Sequence, residues 1–396
     1  MSATPIQAST RDVTGSRERA LLLDPWLIIA ALGLVACSLV TIYGATRRDV
    51  PGNAYYFVER QAIYAAVGFI VAMFVTRFDY SRLRDLRLGI YGLLVGSNLL
   101  VLVIAGATRG SRRWIDLPFF RVQPSELGKV LLVLALAGFV VDRARWLNER
   151  RTTARIVLLA LLPALLVVAQ PDLGTGMVYM AVTFMLLFVA GTSWKHMTAL
   201  VALVVIAASM VLVVAPAAGV HVLKPYQVQR LTGFLKPSHD PGDQTYQINQ
   251  SLTAIGSGEK TGRGIDRATQ TNGNFLPEHH TDFIFAVVGE THGFLGAAVV
   301  LALYALLIWR TLRILTLAKN LYGALIAGGI LAMLMFQAFV NVGMTIGIMP
   351  ITGVPLPLMS FGGSSVLVTF ICLGLLQSIH VQGRIAAASK GRALIL

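Results

Sequence analysis

Ten runs of predominantly apolar residues divide the chain, near 26–46, 60–77, 88–106, 124–141, 154–170, 174–191, 194–215, 283–309, 321–349 and 361–381. Each holds about 17 residues or more, enough for a helix rising about 1.5 Å per residue to cross most of a hydrocarbon core of about 30 Å. The pattern predicts an all-α polytopic membrane protein of about ten transmembrane helices, and an even count puts both termini on one side. The connections are short except for 216–282, between the seventh and eighth runs. The reading is therefore an N-terminal tail (1–25), a ten-span membrane domain (26–383) with one large loop at 216–282, and a C-terminal tail (384–396).

Composition agrees with the pattern. Of 396 residues, 56% are hydrophobic and 13% charged, with a mean hydropathy of +0.70. Soluble domains carry about 25% charged residues. The first run is followed by no small-residue cleavage pattern, which predicts a retained span and not a signal peptide. Cys37 and Cys372 both fall inside apolar runs, so their spacing implies neither a disulfide framework nor a metal cluster.

A net charge of +14 would point to nucleic acid in a soluble protein. Here the cations must first be sorted by membrane side, because cytoplasmic loops are enriched in Lys and Arg. With both termini inside, nineteen of the 33 Lys and Arg residues are internal and Lys129 lies within a span. The outer short loops hold seven, and the long 216–282 loop, largely exempt from the rule, holds the rest. That places the termini in the cytoplasm and both RGSRRWIDLPFFR (109–121) and the long loop outside. Residues 109–121 then breach the charge rule locally. Either the breach is statistical, or Arg109, Arg112, Arg113 and Arg121 hold an anion while Trp114, Phe119 and Phe120 sit at the interface.

Three acidic sites stand at the edges of spans. In QPSELGK (123–129), Glu126 and Lys129 are three residues apart on one helical face and can pair, as a structural bridge or as part of a site. In QPDLGTG (170–176), Asp172 stands where a helix begins, and capping alone explains an aspartate there. In FLPEHHTDFIF (275–285), Thr281 and Asp282 precede an apolar run as helix-start residues. Asp282 reads equally as a cap or as a half-desolvated general base at the surface. His279 and His280 read as polar loop residues, since no third ligand stands at a recognisable spacing. Glu290, a turn or two deeper, reads as a buried carboxyl paired inside the bundle.

Two glycine-rich stretches complete the survey. AIGSGEKTGRG (254–264) fails the spacing of a nucleotide phosphate loop and reads as a flexible turn region. NVGMTIGIMPITGVPLPLMSFGGSS (341–365) places Pro350, Pro355 and Pro357 with Gly353, Gly362 and Gly363 between two spans. Irregular backbone at that depth survives only where protein buries it or it lines a cavity, so this stretch reads as a tight or re-entrant outer loop beside a site.

RGSRRWIDLPFFRVQPSELGK, QPDLGTG, FLPEHHTDFIFAVVGE and NVG…GIMPITGVPLPLMSFGGSS, in this order and at these separations, resemble the SEDS family of bacterial shape, elongation, division and sporulation proteins. The likeness spans the whole membrane region and is closer to the elongation members. The resemblance implies an inverting peptidoglycan glycosyltransferase in the bacterial cytoplasmic membrane, polymerising lipid II into β-1,4 glycan strands at the outer face. It implies a class B penicillin-binding protein and the elongation machinery as partners, no nucleic acid, no nucleotide cofactor, and room in the chemistry for a divalent cation such as magnesium or manganese. Carried over by motif, Asp282 matches the family's essential aspartate. Glu126 and Lys129 match its charged pair, Asp172 its QPD aspartate, and Arg109, Arg112, Arg113 and Trp114 its cationic outer motif, to which Arg121 is adjacent. GETHGFLG (289–296) departs from the GEELG-like run of most relatives, which leaves a second acid there without support. Two readings from other classes compete, a lipid II flippase or transporter and a non-catalytic membrane scaffold for a penicillin-binding protein. The flippase would need midplane charges and inverted repeats, whereas the acids here cluster at the outer ends of their spans.

Overall fold

The computed structural model describes residues 22–104, 114–116, 121–217, 219, 243–273 and 275–393. Ten helices correspond to the ten apolar runs. They are α1 (Pro25–Thr46), α2 (Tyr56–Arg77), α3 (Arg87–Ile104), α4 (Pro124–Asp142), α5 (Arg150–Ala169), α6 (Leu173–Val189) and α7 (Trp194–Ser209), then, beyond the eleventh helix α8 (Asp243–Gly258), α9 (Ile284–Leu317), α10 (Leu321–Thr345) and α11 (Gly363–Ala393). Among the described residues eight are long and apolar enough to cross a membrane, α7 with its continuation to Val214, and α3 and α6 are shorter apolar helices. A two-residue hairpin, β1 (Ile115–Asp116) and β2 (Arg121–Val122), leads into α4. α11 runs on to Ala393, so residues 384–393, read as a separate tail, continue the last helix.

α4 lies at the centre. It is buried along nearly its whole length and contacts α3, α5, α6, α10 and α11. α2 packs on α11, and α1 and α10 pack on α9. α7 instead turns most of its surface outward, with Val201, Leu203, Val204, Val205 and Ile206 exposed, as a lipid-facing helix requires. One end of the bundle is stapled by ion pairs. Asp24 caps α1 and meets Arg310 of α9 at 2.6 Å, while Gln377 of α11 holds both the amide and the carbonyl of Asp24. Arg84 and Arg87 both reach Asp142 at the end of α4. These cations belong to the set assigned to the cytoplasmic side by charge.

AIGSGEKTGRG is not a flexible turn. Its first half closes α8, and its second half docks into a break in α9 at Gly293, where the backbone leaves the helical region (φ 63°, ψ −159°). The amides of Phe294 and Leu295 donate to the carbonyls of Glu259 and Lys260, and the amides of Arg263 and Gly264 donate to the carbonyls of Glu290 and Thr291. Four cross-links thus replace bonds that the interrupted helix cannot make internally, as buried backbone demands. Periodicity missed this because a helix break plugged by a distant loop has no local hydropathy signature. Ser251 of α8 also donates to the carbonyl of Thr345 at the end of α10.

Gly262 sits in this plug at φ +82°, where a Cβ would overlap the Thr291 carbonyl. Gly262→Val should therefore destabilise the protein by more than about 1 kcal/mol, from left-handed strain plus backbone displacement. Gly256→Ala, on α8 with open space around it, should be neutral. Thermal unfolding of detergent-purified variants checks both, and equal midpoints would count against the plugged-helix description.

Candidate active site

At the end of the bundle opposite the Asp24–Arg310 bridge, α2, α4, α6, α9 and α11 all begin, so five positive dipole ends lie there. Their first turns are linked to one another. α4 opens on Pro124, whose fixed φ suits a first helical position. Two residues on, Glu126 is followed a turn later by Lys129, and Lys129 Nζ donates to Glu126 Oε1 at 2.6 Å. The pair expected from spacing is present and almost fully enclosed, at 3% and 1% exposure. At that depth each charge depends on the other.

Asp172 caps α6, accepting from the amide of Thr175 at 3.1 Å. Capping occupies only one carboxylate oxygen. Oδ2 receives Gln123 Nε2 at 3.0 Å and lies 3.4 Å from Ser125 Oγ, which ties α6 to the first turn of α4. Tyr179, one helical turn and more along α6, donates its hydroxyl to the Ser125 carbonyl at 3.1 Å, and its ring fits only because residue 128 lacks a Cβ. Gln123, Ser125 and Tyr179 were not singled out from sequence. A glutamine before the proline of a helix start was the available signal.

Asp282 occupies a different position. The turn 278–283 is closed by backbone, with the amides of Thr281 and Phe283 donating to the Glu278 carbonyl. α9 begins at Ile284, and its cap position is Phe283, which makes no side-chain capping bond. Asp282 stands one residue before that cap position. Its half-buried carboxylate is directed at the irregular segment between α10 and α11, with Oδ2 3.5 Å from where a Cβ on Gly353 would stand. Asn341 of α10 holds the turn from behind, donating to the carbonyls of Asp282 and Val354 at 2.9 Å each.

Residues 346–362 form that segment, non-helical as the motif suggested, exposed at Ile346 and Ile348 and mostly buried from Ile351 to Ser360. Side chains from four helices satisfy its carbonyls: Ser38 on Met359, Gln61 on Ser360, Tyr304 on Pro357 and Asn341 on Val354. Ser360 Oγ accepts from the Leu356 amide and donates to the Thr281 carbonyl at 2.6 Å, and the Phe361 amide donates to the His280 carbonyl. The other end of the segment meets α6, where the first turn approaches so closely that a Cβ on Gly174 would come within 2.6 Å of the Thr352 carbonyl oxygen. The segment therefore lies between the Asp282 turn and the Asp172 cap.

Arg121 is exposed on β2, and its carbonyl accepts from Ser364 Oγ of α11, which in turn accepts the Gln123 amide. Trp114 is exposed beside β1. Arg109, Arg112 and Arg113 lie outside the described residues, as do Phe119 and Phe120. Glu290 is buried as expected, but its partners come from outside the membrane-spanning helices. Among the described residues they are the amides of Gln270 and Thr271 and the Thr271 hydroxyl, so it anchors the single helical turn Thr269–Asn272 of the long loop. Thr291, in place of an acid, bonds the Val287 carbonyl.

A lone buried charge is far more costly than a removed pair. Lys129→Met should cost about 3–5 kcal/mol, and adding Glu126→Gln to it should recover most of that loss. Unfolding midpoints of both variants give the answer, and a double variant no more stable than Lys129→Met would contradict the pairing.

Comparison with known proteins places these motifs in context. Residues 19–385 match the family described as "Cell cycle protein", FtsW/RodA/SpoVE. The chain is 35% identical over 367 residues to the peptidoglycan glycosyltransferase MrdB of Escherichia coli K12, covering 93% of this chain and 96% of that protein. It is 38% identical to a probable peptidoglycan glycosyltransferase FtsW of Thioalkalivibrio sulfidiphilus, over 96% and 95% of the two chains. Among solved structures it is similar to a chain from work on the coordination of polymerization and crosslinking by a peptidoglycan synthase complex, with a TM-score of 0.77, 31% identity, and 91% and 98% coverage. It is also similar to the rod shape determining protein RodA of Thermus thermophilus, with a TM-score of 0.65, 29% identity, and 90% and 96% coverage.

Proposed function

The chain belongs to the FtsW/RodA/SpoVE family and is a multi-pass membrane peptidoglycan glycosyltransferase; from that premise we propose that Asp282 is its general base, working at the outer face of the bacterial cytoplasmic membrane. The observation that carries the assignment is the placing of the half-buried Asp282 carboxylate against the irregular segment, with Oδ2 3.5 Å from where a Cβ on Gly353 would stand. Asp172 spends its carboxylate on the Thr175 amide and on Gln123, whereas the Asp282 turn is closed by backbone and its carboxylate faces the segment that joins the two acids. The charge distribution over the short loops supports an outward-facing site.

The substrate is the lipid-linked disaccharide lipid II. Its sugar is α-linked to pyrophosphate and the polymer is β-1,4-linked, so one inverting displacement suffices. As the acceptor 4-hydroxyl oxygen bonds to the anomeric carbon, its proton passes to the Asp282 carboxylate. The bond from the anomeric carbon to the pyrophosphate oxygen breaks, and the electron pair leaves with the pyrophosphate. Positive charge must meet that leaving group. Arg109, Arg112, Arg113 and Arg121 supply it from the outer loop, aided by the five helix N-termini at this end. Glu126 and Lys129 neutralise each other and shape the floor under Asp172.

We assign the chain to cell elongation, on the GVPLPLMSFGGSS and NFLPEHHTDFIF forms of its motifs. A class B penicillin-binding protein is the partner that fits, since the polymer must be cross-linked as it emerges; a related solved structure comes from work on a complex coordinating those two reactions.

Three outcomes test this reading. In a reconstituted assay with labelled lipid II, Asp282→Asn should lower the polymerisation rate by about 10²-fold or more while leaving the unfolding midpoint in place, and undiminished glycan synthesis would sink the base assignment. Charge reversal at Arg112 or Arg113 should raise the KM for lipid II before it lowers kcat. Depletion in the native host should produce rounded cells; filaments would mean that the chain serves division.

A further inference from the structure

The histidines beside Asp282 have a third neighbour that no local spacing announces. Asp49, in the connection from α1 to α2, His279 and His280 place one ligand atom each within 4.8 Å of one another. We infer that these three residues form a site for a divalent transition-metal ion, of the manganese or zinc type, at the outer end of the bundle.

The state of His279 carries the inference. Its Nδ1 lies 3.0 Å from the Leu276 carbonyl, which can only accept, so that nitrogen holds the hydrogen. In the neutral ring Nε2 is then a lone pair. It is buried, has no hydrogen-bond partner and lies 3.4 Å from Asp49 Oδ2, another acceptor. Two acceptors facing each other in a residue only 7% exposed require a cation between them. A proton on Nε2 would supply one, but such charge-assisted bonds close to about 2.7–2.9 Å, shorter than the 3.4 Å found. A metal ion uses all three groups. In a tetrahedral site with metal–ligand distances of about 2.0–2.2 Å, ligand atoms stand about 3.3–3.6 Å apart, so the cluster must contract by about 1.3 Å to close on an ion.

The surroundings are those of a built site. A backbone carbonyl on Nδ1 fixes the tautomer and aim of His279, as is usual for metal-bound imidazoles. The His280 ring is held between Phe57 and Phe361, with centroids at 5.0 and 5.8 Å, and its carbonyl accepts from the Phe361 amide. Asp49 is anchored by its own amide to the Thr46 carbonyl at the end of α1. Two imidazoles and one carboxylate select manganese, iron, nickel or zinc over magnesium, and three protein ligands leave coordination positions open. Because His280 stands two residues before Asp282, an ion here would present those positions beside the base, where pyrophosphate oxygens could occupy them. That last step rests on the function proposed above; metal binding itself does not.

The test uses tag-free full-length protein in nanodiscs, stripped with chelator and titrated with Mn(II) while electron paramagnetic resonance follows the free ion. The expected result is one Mn(II) per chain, displaced by Zn(II), with nitrogen couplings from imidazole in pulsed spectra of the wild type. Asp49→Asn and His279→Gln should each weaken binding at least tenfold, and His196→Gln, near the opposite end of the bundle, should not change it. Melting curves in metal-free buffer confirm that the variants fold, and the wild-type nitrogen coupling stands even if one does not. Absence of stoichiometric binding, binding without imidazole nitrogen, or equal affinity in folded Asp49→Asn and His279→Gln would overturn the site. Polymerisation measured separately keeps a failure here distinct from a failure of the Asp282 assignment.

Discussion

Backbone that is neither helix nor closed sheet is expensive inside an apolar layer, because each unmatched amide or carbonyl costs several kcal/mol. The stretch 346–362 violates the helical rule at the heart of this protein, and much of the surrounding architecture answers it. Ser38, Gln61, Tyr304 and Asn341 come from α1, α2, α9 and α10, and each closes on one carbonyl of the segment. Those helices must keep their relative rotation for the bonds to survive. The turn bearing Asp282 is bonded to the same segment through Ser360, Phe361 and Asn341, so that turn inherits its position from a solution to a solvation problem.

Much of this was legible in the chain. Apolar run lengths located the ten helices, because an apolar solvent imposes one dominant period on the sequence. The three-residue spacing of Glu126 and Lys129 sufficed to pair them, and Asp172 caps as its place after Gln170 and Pro171 suggested. What stayed hidden was tertiary. Asp282 looks like a cap in one dimension, and only the fold shows its carboxylate turned toward Gly353 of the segment between α10 and α11. Glu290 reads as a carboxyl paired inside the bundle, yet its donors are amides from a helical turn of the long loop. Asp49 could not be joined to His279 by any spacing rule, since their proximity depends on how α1 packs against α9.

The two acids flanking the irregular segment show how environment separates identical groups. Asp172 is enclosed by the Thr175 amide, Gln123 and Ser125, donors that hold a carboxylate in place. Asp282 is half-buried at the rim. Two identical side chains on either side of one strip of backbone thus stand in different surroundings.

The plug in α9 has a mechanical meaning. Because four main-chain bonds splice the 259–264 turn into the helix at Gly293, α8 is coupled to the membrane body as a strut, not hung from it on a string. A load applied to α8 is transmitted to the helix that starts immediately after Phe283, and through Ser251 to the end of α10 as well. Stiffness of this kind lets a grip taken on α8 be felt at the turn bearing Asp282 with little slack in between.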